Sequence, residues 1–158
     1  TGAVTNQDAA DRMLASFTDL EPKGIEIVNN LAVVDGSSRP SGRIVVDDTL
    51  LFRVDSAQLT DANSALVADL ATIFTSRPAW KMSVVGHTDS TGTAVHNLEL
   101  SLLRATAVRD ALVARDGLAE ALRIEGAGST DPVASNDTEA GRAANRRIEF
   151  RVTRVESE

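Results

Sequence analysis

The sequence predicts an α+β fold of two layers, with helices packed on one face of a small mixed β-sheet. Three observations lead to it. From residue 44 onward, short runs of β-branched and apolar residues alternate with segments whose apolar residues recur every three or four positions, as in strands joined by helical crossovers. Ile148, Phe150 and Val152 alternate with Glu149 and Arg151, the period of a strand with one face in the core. Between these lie Val84-Val85, a turn-rich loop and a long amphipathic stretch in succession, the connection that neighbouring parallel strands need.

The elements follow in order. Residues 6–20 place Ala10, Met13, Leu14, Phe17 and Leu20 on one helical face, with Asn6 or Asp8 as cap and Pro22 and Gly24 beyond the end. Residues 25–28 and 31–34 are expected as short strands in a hairpin across Asn29-Asn30. The run 35–42, DGSSRPSG, is rich in residues that terminate regular structure. It divides the chain into an N-terminal helix-plus-strand extension, residues 1–40, and a domain over residues 41–155. Strands are expected at 44–46 and 50–54. The next helix carries Leu59, Ala62, Leu66, Leu70, Ile73 and Phe74 on one face, starts at Thr60 or Asp61 and stops at Arg77-Pro78. A strand at 80–85, a loop at 86–92 and a helix from 93 to about 115 come next. On that helix Leu100, Leu103, Ala107, Val108 and Ala111 form the apolar stripe, with Asn97 and Arg104 at its edge. A short helical turn at 118–122, a strand at 123–125, a polar loop at 126–137 and a short helix at 138–145, capped by Thr138, lead to the last strand, 147–155. The terminal three residues should fray.

Composition narrows the function. The chain has 158 residues and a formal charge of −7, which disfavours nucleic acid and anionic membrane as partners, since both need a clustered basic face. No run reaches the roughly 18 apolar residues of a membrane span, and the first ten residues lack the pattern of a signal peptide. With no cysteine, disulfides, thiolate zinc sites and a cysteine nucleophile are excluded. His87, Asp89 and His96 are the only metal ligands worth weighing, but there are two histidines in all and the H-E-x-x-H spacing is absent. There is no G-x-S-x-G elbow and no P-loop, and Gly126 and Gly128 do not extend to G-x-G-x-x-G because residue 131 is Asp131. Neither a metal, a cofactor nor a catalytic group is expected.

Asp89, delivered by the 86–92 loop close to a helix start, and Arg104, at a core boundary, stand out. An acid and an arginine presented together suit a ligand with an ammonium and a carboxylate on one carbon. They equally suit an internal salt bridge between loop and helix, and spacing alone favours the bridge. By itself Asn145-Arg146-Arg147 reads as a solvated basic junction before an edge strand.

Four separated motifs change the balance. Phe52-x-x-x-Ser56-Ala57-x-Leu59 comes first, followed by Gly86-His87-Thr88-Asp89-x-x-Gly92-x-x-x-x-Asn97-x-x-Leu100-Ser101-x-x-Arg104-Ala105-x-x-Val108. Gly126-x-Gly128-x-x-x-Pro132-x-x-x-Asn136 and Gly141-Arg142-x-x-Asn145-Arg146-Arg147-Ile148-Glu149-Phe150 complete the set. In this order they resemble the OmpA C-terminal-like family over residues 44–153. The resemblance implies a β-α-β-α-β core that binds peptidoglycan non-covalently through the diaminopimelate of the stem peptide and anchors an envelope protein to the cell wall. By position, Asp89 matches the acid that meets the ammonium and Arg104 the arginine that meets the carboxylate. Thr91, Asn97, Leu100 and Arg146 match residues lining or supporting the pocket, while Arg142 and Arg147 hold the last helix and strand. Arg53 and Ala127 depart from the family's usual residues at the pocket rim. The resemblance further implies a periplasmic or outer-membrane-associated location, with any membrane anchor outside these residues, and is compatible with a homodimer. The competing reading is a protein–protein interaction module of the same fold without wall binding.

Overall fold

Apolar residues at alternate strand positions meet the inner faces of two helices on one side of a single sheet. The computed structural model describes residues 15, 25–28, 41–47, 51–60, 64–75, 80–116 and 122–154. The elements run β1 (Ile25–Val28), β2 (Ser41–Asp47), α1 (Ser64–Thr75), β3 (Trp80–His87), α2 (Ala94–Asp116), β4 (Leu122–Gly128), α3 (Glu139–Asn145) and β5 (Arg147–Arg154). The strand order is β1-β2-β5-β3-β4. Only β3 and β4, joined across α2, are parallel, and the other seams are antiparallel. The sheet is therefore mixed, with helices on one face, as the sequence predicts. Its core joins Ile44, Val46, Met82, Val84, Leu122, Ile148, Phe150 and Val152 of the strands to Leu66, Val67 and Leu70 of α1 and Ala105, Val108 and Leu112 of α2. Each of the larger of these side chains contributes about 1.5–3 kcal/mol by leaving water.

β1 pairs with β2, Ile25 opposite Val46 and Val28 opposite Arg43, so a strand from the segment read as an extension shares the sheet. Residues 31–34, residues 118–121 and the helix expected at 6–20, apart from helical Ala15, lie outside the described residues. Of the strand expected at 50–54, the described residues 51–54 form no strand. Both sides of β2 are taken by β1 and β5, so this segment cannot pair with the strand that precedes it. Phe52 instead makes one isolated bridge with Leu59, and the chain turns back through residues 53–56, where Ser56 N donates to Arg53 O at 3.2 Å. Leu59 thus precedes helix α1 rather than opening it.

The inner face of α2 also differs from expectation. Leu103 is 58% exposed, whereas Asn97, Ser101, Arg104, Ala105, Val108 and Leu112 are buried. The cause lies in the strands below. A Cβ on Gly86 would overlap the Ser101 backbone, and one on Gly126 would stand 2.8 Å from Leu102 Cβ and 2.9 Å from Leu98 O. Over this stretch the helix backbone rests on glycine, and Leu98, Leu102 and Leu103 are left exposed while Asn97, Ser101, Arg104 and Ala105 are buried. Gly86→Ala is accordingly expected to destabilise the protein by about 1–3 kcal/mol. Urea unfolding should show a lower midpoint at unchanged slope.

β5 is a central strand, not an edge. Asp47 of β2 and His87 of β3 flank Arg147 on either side, and both Arg147 and Asn145, the last residue of α3, are buried rather than solvated. On the sheet face away from the helices, Arg147 Nε donates to Glu149 Oε1 at 2.8 Å and Arg151 Nε to Glu149 Oε2 at 3.1 Å. This central placement brings the start of β5 beside the end of β3, and that positions the site.

Candidate functional site

Where β3 ends, backbone and side chains hold one loop in a fixed shape. Thr88 N donates to Gly128 O at 2.9 Å, extending the contact with β4 by one residue. Asp89 Oδ1 then accepts from Thr91 N at 2.8 Å, an acid closing a turn on the amide two residues on. Gly92 has φ +88°, a conformation that suits glycine and redirects the chain. Thr93 starts α2, its Oγ1 accepting from His96 N at 3.2 Å. Asn97 Nδ2 and Thr88 Oγ1 donate to Asp89 O at 3.3 and 2.9 Å. Ser90 N donates to Asn136 Oδ1 at 3.2 Å, and Asn145 Nδ2 donates to the same oxygen at 2.9 Å. Asn145 also takes the amides of Val133 and Ala134 on its Oδ1 at 2.8 and 3.0 Å, and so anchors the 129–137 loop to α3.

The ion partner of Asp89 is Arg146, not Arg104: Arg146 Nη1 lies 2.7 Å from Asp89 Oδ2, and Nη2 lies 3.0 Å from Glu139 Oε1. Glu139 Oε2 in turn accepts from Arg142 Nε and Nη2 at 3.1 and 3.0 Å. Burial alone pushes the Asp89 carboxyl up, but the Arg146 guanidinium and the Thr91 amide outweigh it and hold the group below its ordinary value. Arg104 is turned to the other wall. Its Nε donates to Ser56 O at 2.9 Å and its Nη2 to Arg53 O at 3.4 Å, with the guanidinium 5.3 Å from the Phe52 ring centroid, within cation–π range. The internal bridge that spacing alone favoured is therefore replaced by an Asp89–Arg146 pair.

A cleft of about 560 Å³ opens between these walls. Asp89, Thr91, Asn97, Leu100, Arg104 and Arg146, singled out in the sequence, all line it. Phe52, Arg53, Val54, Asp55, Thr88, Gly92, His96, Glu139 and Arg142 complete the lining. The i,i+3 spacing of Glu139 and Arg142 signals an ion pair on α3, but no local pattern places it at the cleft. The residues weighed for a metal go to different partners: His87 faces Glu149 at 3.6 Å and His96 meets Asp55 at 2.9 Å. Chemically, the cleft sets a carboxylate and a guanidinium around an apolar wall of Phe52 and Leu100, which suits a small zwitterion with an alkyl chain.

A profile of the OmpA family matches residues 51–146, the span that carries every cleft residue named above. The peptidoglycan-binding protein ArfA of Mycobacterium tuberculosis is 33% identical over 163 residues, which cover 95% of this chain and 49% of the relative. The chain thus spans about half the length of that relative. Among solved structures, the cell wall anchor of the T6SS from Pseudomonas aeruginosa matches with a TM-score of 0.73 at 28% identity, over 92% of this chain and 96% of that one. The peptidoglycan-associated lipoprotein from Burkholderia pseudomallei matches with a TM-score of 0.58 at 31% identity, over 78% and 97%. Motifs, sheet and profile coincide over one stretch, and the chain belongs to the OmpA family.

Proposed function

We propose that this protein binds peptidoglycan non-covalently through the diaminopimelate of the stem peptide and anchors an envelope protein to the cell wall, in the periplasm or at the outer membrane. The observation that carries the reading is the placement of Asp89 and Arg104 in one cleft that Phe52 and Leu100 also line. Asp89, ionised because Arg146 and the Thr91 amide hold its carboxyl low, accepts from the ammonium. Arg104, fixed on Arg53 O and Ser56 O, meets the carboxylate. Asn97 and Thr91 brace the acid, Leu100 packs on the ligand's methylenes, and Arg146 supplies the charge that keeps Asp89 ionised. The relatives support the same reading: a peptidoglycan-binding protein, a cell wall anchor and a peptidoglycan-associated lipoprotein. The role is binding, without catalysis of wall cleavage.

One observation favours a second reading. Asp89 already has an ion partner in Arg146, as in an interaction module of the same fold that does not bind the wall. Sedimentation with purified sacculi separates the two. The wild type is expected to pellet, to be released by free diaminopimelate and to liberate no soluble wall fragments. Asp89→Ala and Arg104→Ala, checked to be folded, are expected to stay in the supernatant. A wild type that stays in the supernatant with both variants would leave the interaction module as the surviving reading, and equal pelleting of all three would mean wall binding that does not use Asp89 and Arg104.

A further inference from the structure

We infer that Asp55 and His96 are positioning residues, which hold the 53–56 turn so that its carbonyls aim Arg104 into the cleft. The inference rests on the proposed function. Arg104 is steered by backbone: its Nε and Nη2 donate to Ser56 O and Arg53 O, the two carbonyls at the ends of one tight turn. Whatever fixes that turn fixes one edge of the guanidinium, and hence the direction of the planar fork that meets a carboxylate. The turn is exposed at its tip, where Val54 is 95% accessible, and packing there does little to hold it. Two features do. Asp55 has φ +51°, a left-handed conformation that aspartate tolerates better than most residues but that still needs support. Its side chain supplies it: Asp55 Oδ1 lies 2.9 Å from His96 Nε2 in the first turn of α2, and both residues line the cleft. The pair therefore ties the tip of the turn to the helix that also carries Arg104.

A positioning role makes a prediction that general loosening does not. Losing the tie should weaken recognition of the carboxylate by Arg104 and leave recognition of the ammonium by Asp89 alone. Calorimetric titration with two probes reads this directly: diaminopimelic acid, and its diamide, which keeps both ammonium groups and lacks both carboxylates. Asp55→Gly retains a backbone free to adopt φ +51° while removing the carboxylate, and His96→Ala removes the other half of the pair. Both are expected to lose about threefold in affinity for the acid, the scale of one exposed pair, with diamide affinity unchanged, so that the preference for acid over diamide narrows. Asp55→Asn and His96→Gln, which can still bond across the gap, are expected to restore most of that preference. If both deletion variants keep the wild-type preference, or lose affinity for acid and diamide alike, the positioning role is overturned. A wild type that binds neither compound overturns the proposed function, and this inference with it.

Discussion

Asp89→Asn and Arg104→Ala are each expected to lower the affinity for diaminopimelate by about thirtyfold or more. Truncating one partner of a sheltered, charge-assisted contact costs about 2–5 kcal/mol, and each 1.4 kcal/mol is tenfold. Asparagine can still accept from Thr91 N, as Asp89 Oδ1 does, so this variant removes charge while keeping the turn. Arg104→Lys retains the charge but loses the planar fork, and its affinity should fall between those of wild type and Arg104→Ala. The pH dependence follows from the direction of the Asp89 shift. Because Arg146 and Thr91 hold its carboxyl below the ordinary value, the acid stays ionised from neutrality down to about pH 4. Affinity should be flat over that range and fall below it. A calorimetric series in which affinity already drops between about pH 5 and 6 would contradict the assignment of the ammonium to Asp89.

What the sequence revealed of this site was its local part. Thr138 caps α3, its Oγ1 accepting from Gly141 N at 3.0 Å, and such a cap is legible because it is set by four successive residues. Asp89 and Arg104 were legible for a similar reason, since one loop and one helix carry both. Arg146 as the partner of Asp89 was not. The two are 57 residues apart, and only the insertion of β5 between β2 and β3 brings them together. The burial of Arg147 and Glu149 was not legible either: alternation reports two faces but not what covers the second one. Leu103 misled for a different reason. Counting leucines locates the greasiest stripe of α2, yet Gly86 and Gly126 decide which stripe can approach the sheet, and they belong to other elements.

The face of the sheet away from the helices carries the other large expected effect: Glu149→Ala should destabilise the protein by about 3–5 kcal/mol, the cost of leaving a buried charge without its partner. Glu149 is fully buried and takes Arg147 Nε at 2.8 Å and Arg43 Nη1 at 3.2 Å on Oε1, and Arg151 Nε at 3.1 Å on Oε2. Arg147 is itself buried and has Asn145 O and Asp131 O as its remaining acceptors, so removal of the carboxylate strands a guanidinium with carbonyls only. Against a typical total of about 5–15 kcal/mol, that loss is large. Glu149→Gln keeps the shape and one acceptor and should cost less. Protonation gives an independent check. Burial pushes the Glu149 carboxyl up, but His87 and Arg147 outweigh it and hold it well below the usual carboxylate range. A group whose folded value is depressed stabilises fully above its unfolded value, and that contribution is lost as pH falls through the folded one. The difference in unfolding free energy between wild type and Glu149→Ala should therefore be greatest near neutrality and shrink progressively below about pH 4.5, as measured by urea titration at several pH values. A difference that stays constant from pH 7 to 3 would mean that Glu149 contributes by packing rather than by charge.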